Sequence, residues 1–125
     1  MSALYRVEGI RYFTLDELAC PCCDMLKLIP GVYNHLLKLD NLRDKYGLPI
    51  IINSAYRCPK HNKEVGGAES SWHLQFATDI RPDIGNEKDV QQLYKIALAQ
   101  NWGGIGLYTS WVHLDMRPNI TRWRG

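Results

Sequence analysis

Two short stretches of this sequence pair an imidazole with a carboxylate. Ser71-Trp72-His73-Leu74-Gln75-Phe76-Ala77-Thr78-Asp79-Ile80-Arg81 holds His73 and Asp79, and Trp111-Val112-His113-Leu114-Asp115-Met116-Arg117 holds His113 and Asp115. Two His and two Asp in apolar surroundings are the donor types of a mononuclear zinc hydrolase. Such a site needs three protein ligands, an open fourth position for water and a carboxylate to handle protons. Four unrelated polar residues on a sheet would show the same spacing, and spacing does not separate the two readings.

Geometry limits how these residues can meet. Atoms that share one zinc ion lie roughly 3 to 3.5 Å apart. His73 and Asp79 are six positions apart in the chain, which on one straight strand is about 20 Å. A turn within residues 74–77 is therefore predicted, with Asp79 on a strand running through Ile80. His113 and Asp115 are two apart, so on a strand both side chains share a face. One of them can ligate, and the other, roughly 6 to 7 Å along, can act on the bound water or support the ligand. A hairpin turning at Thr109-Ser110 sets Gly106 opposite His113 and Gly104 opposite Asp115, where glycines would leave space for metal and substrate. Arg57 follows the β-branched run Ile50-Ile51-Ile52. Its guanidinium fork suits a carboxylate or an oxyanion, and a structural ion pair would account for it equally.

The elements that must position these groups can be read in order. Residues 1–12 read as an N-terminal arm or edge strand. Thr14 and Glu17 form a capping box, with Phe13 and Leu18 as a hydrophobic staple, and Pro21 keeps that helix short. Val32, Leu36, Leu39, Leu42 and Tyr46 recur at helical spacing, predicting a helix over about 31–46 closed by Gly47 and Pro49. His35 lies on or beside its apolar stripe, as a structural histidine. Residues 49–53 read as a buried strand, 60–67 as one helical turn, with His61 solvated or capping. Asn86 caps a second long helix with Val90, Leu93, Tyr94, Ala97 and Leu98 on its apolar stripe. Residues 102–108 and 111–116 form the hairpin, and 118–125 a tail in which Trp123 folds back. This order predicts a single α+β domain over 1–125, with a small, mainly antiparallel sheet and flanking helices.

Composition narrows the function. With 125 residues the chain can bury a core without staples, and a net charge of +2 with no Lys/Arg run gives no electrostatic case for nucleic acid. No stretch reaches the roughly 18 apolar residues of a membrane span. Met1 to Ile10 lacks the basic-then-apolar pattern of a secretory signal, so synthesis in the cytoplasm and action after lysis or release are expected. A monomer is expected. The four cysteines are Cys20, Cys22, Cys23 and Cys58. Reduced, partly buried thiols are one reading of them. A structural zinc or a disulfide joining the cluster to Cys58 are the others, although the second C-x-x-C of a strong zinc signature is missing.

Several motifs in fixed order carry a resemblance: Ser54-Ala55-Tyr56-Arg57-Cys58-Pro59 with His61 and Asn62, then Val65-Gly66-Gly67-Ala68, Ser71-x-His73, Ala77-x-Asp79-Ile80, Gly104-Ile105-Gly106-x-Tyr108 and Val112-His113-Leu114-Asp115-x-Arg117. From about Phe13 to Trp123 the chain resembles the zinc D-Ala-D-Ala carboxypeptidases, in their small single-domain form of carboxypeptidases, murein endopeptidases and phage endolysins. The resemblance implies a hedgehog-like α+β fold and one catalytic zinc on His73, Asp79 and His113. It also implies that Arg57 binds or polarises the substrate, and that the substrate is a peptidoglycan peptide. Two departures stand out. The family usually has six residues, one a glycine, between the first His and the Asp; here there are five, with Phe76 near the glycine position. The Asp or Glu that many members carry three residues before the last His is Ser110 here. Asp115 is then the candidate for the catalytic base. The alternative is a zinc-containing wall-binding or phage structural module of the same fold without hydrolysis.

Overall fold

A computed structural model describes residues 7–26 and 31–125 of the chain. The helices are α1 (Leu15–Leu18), α2 (Val32–Tyr46), α3 (Pro59–Glu64) and α4 (Glu87–Leu98), with a 3-10 turn at Trp72–Leu74. The strands are β1 (Ile50–Ser54), β2 (Ala77–Pro82), β3 (Gly104–Leu107), β4 (Val112–Asp115) and β5 (Thr121–Arg124). Among the described residues they form one sheet in the order β1-β2-β4-β3-β5. All neighbours are antiparallel except β3 and β5. The fold is α+β, as the order of elements predicts.

Alternation along the strands divides the sheet into two faces. Thr78 and Ile80 on β2, Ile105 on β3, and Val112 and Leu114 on β4 are fully buried. Against them pack Val32, Leu36, Leu39 and Leu42 of α2, and Val90, Leu93 and Ala97 of α4. Asp79, His113 and Asp115 occupy the alternate positions and face the other way. His35 is a core residue, as its position on α2 suggests. It pairs through Nε2 with the Thr78 hydroxyl at 2.9 Å and sits edge-on between Phe76 and Trp102. Burial pushes its pKa down to about 3, so the ring is neutral.

Local signals account for the helix ends. The Glu17 carboxylate accepts from the Thr14 N–H at 2.8 Å, and Gly47 closes α2 at φ 82°, a left-handed conformation that glycine adopts without steric cost. Asn86 and Asp89 form a capping box at the start of α4. Leu98, expected on the apolar stripe of α4, is exposed at the last turn.

Three details depart from the sequence reading. Residues 1–6 of the expected arm lie outside the described residues, and 7–12 form no strand. Instead the backbone N–H groups of Arg11 and Tyr12 donate to the buried Asp40 carboxylate, at 2.7 and 3.3 Å. The expected tail is strand β5, which pairs with β3 because Gly103 and Leu107 carbonyls accept from Thr121 and Gly125 N–H groups. Finally, β1 carries a bulge. Ile52 pairs with Ile80, but the next partner of the ladder, Asp79, pairs with Ser54.

Candidate active site

Pairing of β2 with β4 sets Asp79 directly opposite His113. His73 reaches the same spot from the 3-10 turn, where the Ser71 hydroxyl accepts from the His73 N–H at 3.2 Å. The fold-back predicted between His73 and Asp79 therefore exists. It needs no glycine, because Gln75 has φ −95° and no residue from 73 to 79 has positive φ. Phe76 uses the turn to enter the core.

The hydrogen bonds fix which imidazole nitrogens face the site. His73 Nδ1 lies 2.7 Å from the Ala55 carbonyl, which can only accept, so Nδ1 carries the proton. Nε2 is left facing Asp79 Oδ2, at 3.2 Å. His113 is held between two carboxylates, with Nδ1 2.9 Å from Asp79 Oδ1 and Nε2 2.8 Å from Asp115 Oδ2. A neutral imidazole can donate to only one of them. Burial would lower the His113 pKa, but the hydrogen bonds from its ring to Asp115 and Asp79 outweigh it and the pKa is raised. For Asp79, burial acts upward and the bonds to His113 and His73 act downward more strongly, leaving the carboxyl well below its usual range.

Around these three side chains lies an open cleft of about 410 Å³. Arg57, Trp72, Tyr108, Trp111, Arg117 and Trp123 are among its lining residues. Tyr108 and Trp111 stack with centroids 4.4 Å apart, and Trp123 Nε1 donates to the Tyr108 hydroxyl at 2.9 Å. The Arg57 guanidinium is held from behind: Nε donates to Ser54 Oγ at 3.1 Å and Nη1 to Asn62 Oδ1 at 3.2 Å. Its Nη2 lies 3.8 Å from Asp79 Oδ2.

From residue 11 to residue 115 the sequence matches the family model described as Peptidase M15, the zinc D-Ala-D-Ala carboxypeptidase family. The chain belongs to the peptidase M15 family. No curated protein matches it. Membership makes it a peptidase-type hydrolase by descent, in a zinc-dependent family. The donor set fits that metal. One nitrogen from each of His73 and His113 and one Asp79 oxygen lie within 4.8 Å of one another, two imidazoles and a carboxylate being donor types that zinc takes. A dication would supply the positive charge that the raised His113 pKa otherwise draws from a proton.

Asp115 is placed differently from the expectation of a base. Its side chain is fully buried behind His113. Oδ1 accepts from the Arg117 backbone and Nε, and Oδ2 from Arg117 Nη2 and His113 Nε2. Both oxygens are occupied and neither opens on the cleft. Ser110 is exposed and turned to the far side of the hairpin, beside Arg81 and Asn86. The glycines opposite also have another reason. A methyl group on Gly104 would strike the Asp115 carboxylate and Arg117, and one on Gly106 would strike the Trp123 ring. They make room for the support of His113 and for a cleft wall, not for the metal itself.

Sequence reasoning singled out neither Asn62 nor Arg117 beyond their place in the motifs. Asn62 is buried and bridges Arg57 to the Ala68 carbonyl, to which its Nδ2 donates at 2.9 Å. Gly67 follows it because a side chain there would overlap the Asn62 amide. Arg117 lies over the Trp123 and Trp72 rings, at 4.9 and 5.4 Å.

Proposed function

We propose that the protein is a zinc-dependent peptidase that cleaves stem or cross-link peptides of peptidoglycan, as a carboxypeptidase or endopeptidase. One observation carries the reading: His73, Asp79 and His113 converge on the floor of an open cleft beside an arginine whose fork is held ready by Ser54 and Asn62. Zinc on those three side chains would supply a Lewis acid and lower the pKa of water toward neutrality.

Each residue then has a task. The Ala55 carbonyl and the Asp115 carboxylate fix the two imidazoles, each by the nitrogen turned away from Asp79. Arg57 binds the scissile carbonyl as its oxygen gains charge, or anchors a terminal carboxylate. Trp72, Trp111 and Trp123 give apolar walls to a peptide backbone. Asp115 acts as a positioning residue for His113 in this reading. Asp79 is then the one carboxylate among the described residues that line the cleft. In this scheme the protein meets its substrate once lysis or release exposes the wall.

That shortage of carboxylates favours a second reading, a zinc-containing wall-binding or phage structural module without hydrolysis. Digestion of purified muropeptides, with and without a chelator and read by mass spectrometry, separates the two. Chelator-sensitive release of D-Ala or of cleaved cross-links is expected. A zinc-loaded protein that binds muropeptides and releases nothing would sink the peptidase.

A further inference from the structure

Apart from the cleft, a second set of soft donors comes together. Cys20, Cys22 and Cys23 lie on the turn after α1, and Cys58 caps α3 just past Arg57. Their four Sγ atoms all lie within 4.8 Å of one another. A tetrahedral zinc with Zn–S bonds of about 2.3 Å holds its sulfurs about 3.8 Å apart, whereas a disulfide draws two sulfurs to about 2.05 Å. Cys22 and Cys58 stand at 3.3 Å, and all four thiols are free.

The backbone around the sulfurs is built for the same purpose. The Asp24 N–H donates to the Cys20 carbonyl and the Cys20 N–H to the Met25 carbonyl, both at 2.8 Å. This wraps three cysteines round one turn, with Asp24 at φ 57°, the single non-glycine residue of positive φ among those described. The Cys58 N–H points at Cys20 Sγ and the His61 N–H at Cys58 Sγ, each at 3.4 Å. Such N–H groups offset the negative charge of metal-bound thiolates.

We propose that Cys20, Cys22, Cys23 and Cys58 hold one zinc ion as a closed, structural tetrathiolate site that fastens the turn after α1 to the loop carrying Arg57. Four protein donors leave no position for water, so the ion does no chemistry. Each thiol gives up its proton on binding. The site anchors the segment that continues a backbone contact already present, from the Tyr56 N–H to the Leu18 carbonyl at 3.3 Å. It does not rest on the peptidase reading.

The test uses the full chain, expressed with zinc and purified under a thiol reductant, as wild type and as the double variant His73→Ala/His113→Ala. The double variant is expected to retain one zinc per chain. Loaded with Co2+ instead, it is expected to show the intense thiolate-to-cobalt charge-transfer bands that imidazole and carboxylate donors do not give. Adding Cys22→Ser and Cys23→Ser, both at exposed positions, should abolish those bands and the zinc. A folded double variant with no zinc and four reactive thiols would overturn the proposal. So would a mass two hydrogens lighter, marking a Cys22–Cys58 disulfide. Failure of the His/Asp/His site alone would instead lower the wild-type zinc content and leave the thiolate bands untouched.

Discussion

Asp115 holds His113 by the nitrogen that points away from Asp79, Oδ2 to Nε2 at 2.8 Å, and Arg117 chelates the same carboxylate from the other side. The pair is therefore an orienting device. Changing Asp115 to Asn should weaken zinc binding about 10- to 100-fold, and activity should return when zinc is added in excess. A base would behave otherwise, with kcat lost at unchanged zinc affinity. Titration with a competing chelator, followed by activity at saturating zinc, decides between them.

Arg57 is gripped by two acceptors that match a planar fork. Arg57→Lys keeps the charge but cannot reach Ser54 and Asn62 together. Both Arg57→Lys and Arg57→Ala should lower kcat/KM for a muropeptide by about 10²- to 10³-fold, with zinc content and melting temperature unchanged. Recovery of wild-type rates by the lysine variant would mean that only charge is needed there.

Gly106 faces the Trp123 ring. Gly106→Ala should cost about 1–3 kcal/mol by overpacking and move Trp123 off the Tyr108 hydroxyl. A lower melting temperature with an altered tryptophan emission spectrum would report it. Unchanged values for both would refute the close approach.

His35 gives a pH dependence of definite sign. Unfolded, it takes up a proton near pH 6.5, while in the fold it stays neutral down to about pH 3. Across that window the unfolded state binds more protons, so stability is complete above pH 6.5 and falls as the solution is acidified, by up to about 1.4 kcal/mol per pH unit. Urea midpoints measured from pH 6.5 to about pH 5, above the range where unfolded carboxyls titrate, should decline for the wild type. They should stay nearly flat for His35→Gln, whose amide can still meet Thr78.

Much of this was legible because it depends on short-range rules. The two-residue spacing of His113 and Asp115 fixed their common face, and the Thr109-Ser110 turn gave the register with Gly104 and Gly106, as found. The distance limit on a shared ion required the reversal after His73. What escaped depends on contacts between distant segments. The role of Asp115 rests on Arg117 occupying its remaining lone pairs. The strand character of 121–124 is decided by the free edge of β3. The meeting of Cys58 with Cys20, Cys22 and Cys23 stood among the readings open from the sequence, and what decides it is that α1 packs beside the end of β1.

The bulge in β1 has a consequence for how this chain can vary in length. In a regular ladder the partner of Asp79 would be Asn53, and Ser54 would turn its hydroxyl to the opposite side of the sheet. The extra residue reverses that parity, so that Ser54 and Asp79 share a face. Arg57 finds its hydroxyl acceptor only on that side. Deleting position 53 would remove no metal ligand, only the Asn53 oxygen that accepts from Arg81 Nε at 2.9 Å, yet it would dismantle the support of Arg57. The constraint there is on length as well as on chemistry: the position cannot be skipped without returning Ser54 to the other face.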